Sequence, residues 1–167
     1  KFKRFKKLIS FNEVVNSFDY GVPQKRKRMI CGNFPFELFL SYKSLIKTKS
    51  LGDVITSLDR EKIIDINNKI KLSNEKLTDH SKEIFLDKEE ERINKENKTH
   101  HPVYNGMSFP DSLEKPSRTI TSTCTRVSRE SIIVRDKNKF RRLTLREKGS
   151  IQGFPTTFQF YGKTFSS

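Results

Sequence analysis

The chain has 167 residues, with 34 Lys+Arg against 20 Asp+Glu and a formal net charge of +14, a balance that favours polyanions over neutral partners. Only 33% of it is hydrophobic, but 14 Phe and 4 Tyr supply apolar surface for a folded, polar-coated body. No run of 18 apolar residues marks a membrane span, and two cysteines, Cys31 and Cys124, make neither a disulfide framework nor a zinc set. The expectation is a cytoplasmic nucleic-acid-binding protein without membrane or metal, and a chain that begins at Lys1 reads as a piece of something longer.

The opening KFKRFKK is either a solvated, frayed end or a contact to a nucleic-acid backbone. Phe11 to Phe18, FNEVVNSF, suits a short strand leading into Tyr20-Gly21-Val22-Pro23. Val22 precedes a proline and is pushed extended, which predicts a turn there. QKRKRMICGNF then reads as a strand, with Gln24, Arg26 and Arg28 on one face, Lys25 and Lys27 on the other, and Met29-Ile30-Cys31 anchored in a core. A row of one Gln and two Arg is a set of fork-shaped donors on a rigid element.

FELFLSYKSLI, within 36–50, is apolar enough to pack. From Leu51 to His101 the composition turns to Lys, Asn, Asp, Glu and Ile. SLDREKIIDINNKIKL and DKEEERINKENK read as exposed helical or loosely ordered segments, and the nearly cancelling charges of 87–98 predict a solvated face. PSRTITSTCTRVSRESIIV, from Pro116, reads as two short strands around a polar loop that carries Arg126 and Arg129. Its hydroxyls and arginines suit phosphates and base edges, and they suit an exposed Thr-rich hairpin equally well. In RRLTLREKGSIQGFP, Thr144 and Glu147 form a capping box, and Gly153 with Phe154-Pro155 ends the helix after about two turns.

Two of these stretches resemble signatures of the DNA cytosine-5 methyltransferases. DYGVPQKRKRMICG is similar to that family's Gln-x-Arg-x-Arg motif, and RRLTLREKGSIQGFP to its Arg-x-Leu-Thr-x-Arg-Glu…Gln-Gly-Phe-Pro motif. Lys148-Gly149-Ser150 departs from the small residues and Arg usual inside the latter helix. The Thr119-Ile120 pair in RTITS is similar to the family's Thr-hydrophobic dipeptide that meets DNA.

The resemblance implies a mixed α/β fold: the closing strands of a Rossmann-like S-adenosylmethionine-dependent methyltransferase domain over 1–35, and a smaller, irregular, β-containing target-recognition domain over 36–140. Residues 141–167 would return to the hinge. It implies that Arg28 contacts the target cytosine, with Arg26 and Gln24 bracing the pocket. DNA would be met by Thr119, Ile120, Thr121, Ser122, Thr123, Thr125, Arg126 and Arg129. The family's Pro-Cys nucleophile, Glu-Asn-Val and Phe-x-Gly-x-Gly motifs are absent from the chain. It therefore reads as the C-terminal portion of a site-specific, restriction-modification enzyme, inactive by itself and binding no S-adenosyl-L-methionine alone. Its expected partners are double-stranded DNA and the N-terminal catalytic portion, in the same chain or a separate subunit. The alternative is a stand-alone DNA-binding protein without catalysis.

Overall fold

Pro23 has no N–H to give to a ladder, and the chain around it is held by bonds from outside any sheet. The computed structural model describes residues 9, 11–59, 62–66, 69, 71–73, 85–100, 106–122 and 125–160. The first strand, β1 (Phe11–Asn16), ends in a 3-10 turn, Ser17–Tyr20, closed by Gly21 at φ 82. The chain then returns as β2 (Lys27–Gly32), antiparallel to β1 with Val15 opposite Arg28 and Asn16 opposite Lys27. The strand thus starts three residues later than the sequence suggests, because Gln24 and Lys25 bond elsewhere.

Helix α1 (Phe36–Ser41) follows β2 and lays Phe36 and Phe39 into an aromatic cluster with Phe11, Tyr20 and Phe34. Helix α2 (Leu51–Leu58) begins at a Ser50/Asp53 capping box. Its Leu51, Val54 and Leu58 recur at i, i+3 and i+7, and all three are buried. Strands β3 (Lys62–Ile64) and β4 (Lys71–Ser73) form an antiparallel hairpin where the sequence suggested an exposed helix or loose segment. Ile63 decides the matter, since it is fully buried against the α2 side chains, and burying such a side chain is worth about 1.5–3 kcal/mol.

Helix α3 (Lys88–Thr99) is capped by Asp87 and Glu90, and its buried residues are Asn94 and Lys98. The expected solvated face is there, carried by the Glu89–Arg92–Glu96 ladder. Strands β5 (Ile133–Asp136) and β6 (Lys139–Arg142) make a hairpin, and Phe85 bridges to Arg141 on the other edge of β6. The two strands expected within 116–134 are not paired with each other: β5 takes β6, and Ser117 forms an isolated parallel bridge with Gln24. Helix α4 (Leu145–Ile151) closes the core with Ile151 against Leu51, Val54, Leu58, Ile63, Ile132, Val134 and Leu143.

The architecture is thus mixed α/β, with three two-stranded antiparallel sheets among the described residues. None of their helices is long and apolar enough to cross a membrane.

Candidate functional site

Gln24 and Lys25 are strapped from two sides. On one side, the Ser17 hydroxyl donates to the Gln24 carbonyl at 2.8 Å, the Ser17 amide donates to the Arg26 carbonyl at 3.0 Å, and the Arg26 amide donates to Asn16 Oδ1 at 3.1 Å. On the other, Lys25 N–H donates to the Ser117 carbonyl at 2.9 Å and Ser117 N–H donates to the Pro23 carbonyl at 3.0 Å, a parallel bridge. The Thr119 hydroxyl adds a bond to the Lys25 carbonyl at 2.8 Å, joining residues 94 apart in sequence. Two stretches that the sequence singles out separately, 24–28 and 119–122, therefore meet at one joint.

The three donors of the first stretch end in different surroundings, so they do not act as one face. Gln24 is 1% exposed, and its Nε2 has no hydrogen-bond partner among the described residues. Arg26 is half-buried. Arg28 is exposed on β2, with Nη1 donating to the Lys27 carbonyl at 2.7 Å. A buried amide without a partner costs free energy, and an exposed guanidinium on a two-stranded ribbon keeps its remaining donors for a ligand.

Ile120 packs its side chain on the hydrophobic core, which pins the 119–122 stretch at one end. Thr121 is half-buried and Ser122 exposed. Thr123 and Cys124 lie outside the described residues, as do the seven N-terminal residues with their five cations. Thr125 is exposed, and its carbonyl accepts a short bond from the Ser131 hydroxyl. Arg129 is partly buried, with Nη1 3.5 Å from Glu130 Oε1.

Arg126 stands apart from these. Its Nε pairs closely with Glu90 Oε1, while Nη2 donates to Glu90 Oε2 at 2.7 Å and to the Phe85 carbonyl at 3.1 Å. The hydrogen bond from Arg126 holds the Glu90 carboxyl below its ordinary 4.5, and the same bond raises the guanidinium's own value.

One residue that fixes this site carried no signal in the sequence. Asp111, 8% exposed, accepts from Arg118 Nε at 2.8 Å and from the Ile133 amide at 3.0 Å, and lies 3.8 Å from Lys98 Nζ. It thereby ties α3, β5 and the 117–122 stretch together. Arg141, the first arginine of RRLTLREKGSIQGFP and more deeply buried, is gripped by Glu147 through two bonds of 2.8 Å and by Asp136 at 2.9 Å. Burial opposes its charge, and the two carboxylates more than offset that, raising its value above the ordinary guanidinium range. Asp111 pairs with Ile133, 22 residues further on, which no local pattern announces. Among the described residues, no group of His, Cys, Asp and Glu is placed to hold a metal ion.

Comparison with known proteins gives one family. The profile described as C-5 cytosine-specific DNA methylase matches residues 9–166. Two curated relatives are the Type II methyltransferase M.FnuDI of Fusobacterium nucleatum, 27% identical over 90% of this chain and 46% of its own length, and the Type II methyltransferase M.MthTI of Methanothermobacter thermautotrophicus, 29% identical over 90% of this chain and 47% of its own. The chain thus spans about half the length of the curated relatives it matches. No solved structure matches it significantly.

Proposed function

The chain belongs to the C-5 cytosine-specific DNA methylase family, and from that premise we propose that it is the site-recognising portion of a restriction-modification methyltransferase, which also helps hold the flipped cytosine. In this reading 1–35 close a Rossmann-like catalytic domain, 36–140 form the target-recognition domain, and 141–167 return to the hinge. The single observation that carries it is the joint of Lys25 with Ser117 and Thr119. A base-pocket segment and a DNA-reading segment have to share a fixed frame, because a base taken out of the helix on one side leaves its neighbours to be read on the other.

Cytosine carbon 5 is a weak nucleophile, and addition of a thiolate at carbon 6 puts negative charge on the ring that fixed donors must stabilise. Arg28, exposed and permanently protonated, is the donor proposed for the cytosine carbonyl. Gln24 and Arg26 brace it: the Gln24 and Arg26 backbones are bonded to Ser17 and Asn16. Thr119, Ile120, Thr121, Ser122, Thr123, Thr125 and Arg129 form the surface proposed to meet duplex DNA.

S-adenosylmethionine supplies the methyl group in the complete enzyme. The residues here do not fit a cradle for it: no two of the seven glycines have Gly-x-Gly spacing, and Gly21 and Gly153, at φ 82 and 91, close a 3-10 turn and follow a helix. Neither cysteine follows a proline, so the nucleophile belongs to a catalytic portion in the same chain or a separate subunit.

The test is complementation. The purified chain should retard duplex DNA and incorporate no label from methyl-labelled S-adenosylmethionine, and adding the catalytic portion should restore incorporation into cytosine. Label incorporated by the chain alone, or no affinity for duplex DNA, would overturn the reading.

A further inference from the structure

Helix α3 has little hydrophobic reason to lie where it does, since its only buried residues are Asn94 and Lys98. What it offers the body is a polar row. Glu90, Asn94 and Asn97 stand at i, i+4 and i+7, on one face of the helix, and each bonds the segment 126–127. Glu90 spans the Arg126 guanidinium. Asn94 Nδ2 donates to the Arg126 carbonyl at 2.9 Å, and Asn97 Nδ2 donates to the Val127 carbonyl at 2.9 Å. On the far side of the loop, the Ser131 hydroxyl bonds the Thr125 carbonyl, and Arg118 Nη2 donates to the Ser131 carbonyl at 3.0 Å.

We infer that Glu90, Asn94 and Asn97 are a clamp that fixes the 125–131 loop, and that they determine sequence choice as positioning residues, with Arg126 serving as their internal anchor instead of as a reader of bases. The inference rests on the reading that this loop meets DNA. An arginine reads guanine by presenting two parallel N–H groups from one edge. In Arg126 the Nε–Nη2 edge is engaged by Glu90, and Nη2 also bonds the Phe85 carbonyl. The loop, with Thr125 exposed on it, is thereby held on a frame bonded at the carbonyls of 125, 126, 127 and 131. A frame ordered before binding spares the cost of ordering it on the DNA, and the saving is realised only at a site whose base edges fit.

Charge reversal separates anchor from reader. In the complete enzyme, a randomised duplex pool defines the preferred site, and the affinity ratio of that site to its single-base variants is then measured for the wild type, Glu90→Arg, Arg126→Glu and the double exchange. Amide hydrogen exchange over 125–131 is followed in parallel. Each single reversal should lower the ratio roughly tenfold, the scale of one lost specific contact, and speed exchange in the loop. The double exchange keeps the net charge and should restore both. Restored exchange with a ratio still lost would make Arg126 a base reader and overturn the inference, as would single reversals that leave the ratio unchanged.

Because Arg at position 90 also removes a capping carboxylate, Asn97→Ala serves as an independent variant that touches neither cap nor ion pair. It should lower the ratio while leaving affinity for non-specific duplex as it was, and an unaltered ratio there overturns the clamp even if the reversals fail to fold. A wild-type enzyme that prefers no duplex at all would defeat the recognition reading itself, an outcome distinct from these.

Discussion

Gly21 and Gly153 share a left-handed backbone, at φ 82 and 91, yet they are not equivalent. A side chain at either is strained by about 1–2 kcal/mol, the cost of placing a Cβ in that region. At Gly21 the added carbon would also lie 2.7 Å from Ile46 Cγ2, whereas at Gly153 its nearest neighbour is Val22 Cγ2 at 4.0 Å. Gly21→Ala is therefore expected to be the more damaging change. At about 2–4 °C per kcal/mol for a domain of this size, Gly153→Ala should lower the melting temperature by a few degrees and Gly21→Ala by clearly more. Equal shifts in thermal denaturation would mean that Ile46 yields freely. Such residues show how far sequence reasoning reaches at this scale: Gly21 and Gly153 were readable as a turn and a helix end because their partners are neighbours in the chain. Asp111 and Glu90 were not, since what gives them meaning lies 22 and 36 residues away.

Each of the helices α2, α3 and α4 opens on a capping box, with Ser50/Asp53, Asp87/Glu90 and Thr144/Glu147. Beyond the caps, elements were legible where the pattern and the partner agree. β1 and β2 are consecutive and pair with each other. Residues 57–72 misled because Lys, Asn and Asp suggest solvent, while Ile63 in the core and Ile66 packed against it hold a hairpin there. Residues 116–134 misled because their partners lie outside the stretch: Ser117 bridges Gln24, far back in the chain, and β5 takes β6.

Glu90 has two duties, and they give helix α3 a pH dependence. The Arg126 hydrogen bond, reinforced by the Asp87 amide, holds its carboxyl below the ordinary 4.5 in the folded protein. A carboxyl depressed by folding adds stability that is complete above its unfolded value and is lost as the pH falls through its folded value. The wild type should therefore melt above Glu90→Gln near neutrality, and the gap should close as the pH is lowered from about 7 to about 3. Gln at that position still caps the helix, so the gap reports the ion pair. A gap that stays constant over that range would show that the ionised carboxylate contributes nothing.

At the scale of the whole molecule, charge and shape are divided, in the proposed reading, between the two kinds of contact that DNA offers. The hairpin β1–β2 is open to solvent on much of its surface, with Val14 57% and Met29 68% exposed opposite one another, and Lys25 and Lys27 are exposed at its root. Such lysines bring charge without a fixed geometry, the property of a phosphate contact. The stretch 119–122 has the opposite character, since Thr119 is bonded to Lys25 and Ile120 is packed on the core. Phosphate contacts release counterions, and each steepens the dependence of log affinity on log salt by about 0.9 on duplex DNA. Lys25→Gln with Lys27→Gln should therefore weaken binding to every duplex alike and flatten that slope by roughly 1–2, leaving the preference among sequences as it was. Thr121→Val with Ser122→Ala should do the reverse, leaving the slope and eroding the preference. Binding isotherms for the preferred site and its variants at four or more salt concentrations, a count set by the need for a slope, distinguish the two. A lysine pair whose removal changes the preference would move base reading onto the β2 root, and a hydroxyl pair whose removal changes only the slope would take it away from 119–122.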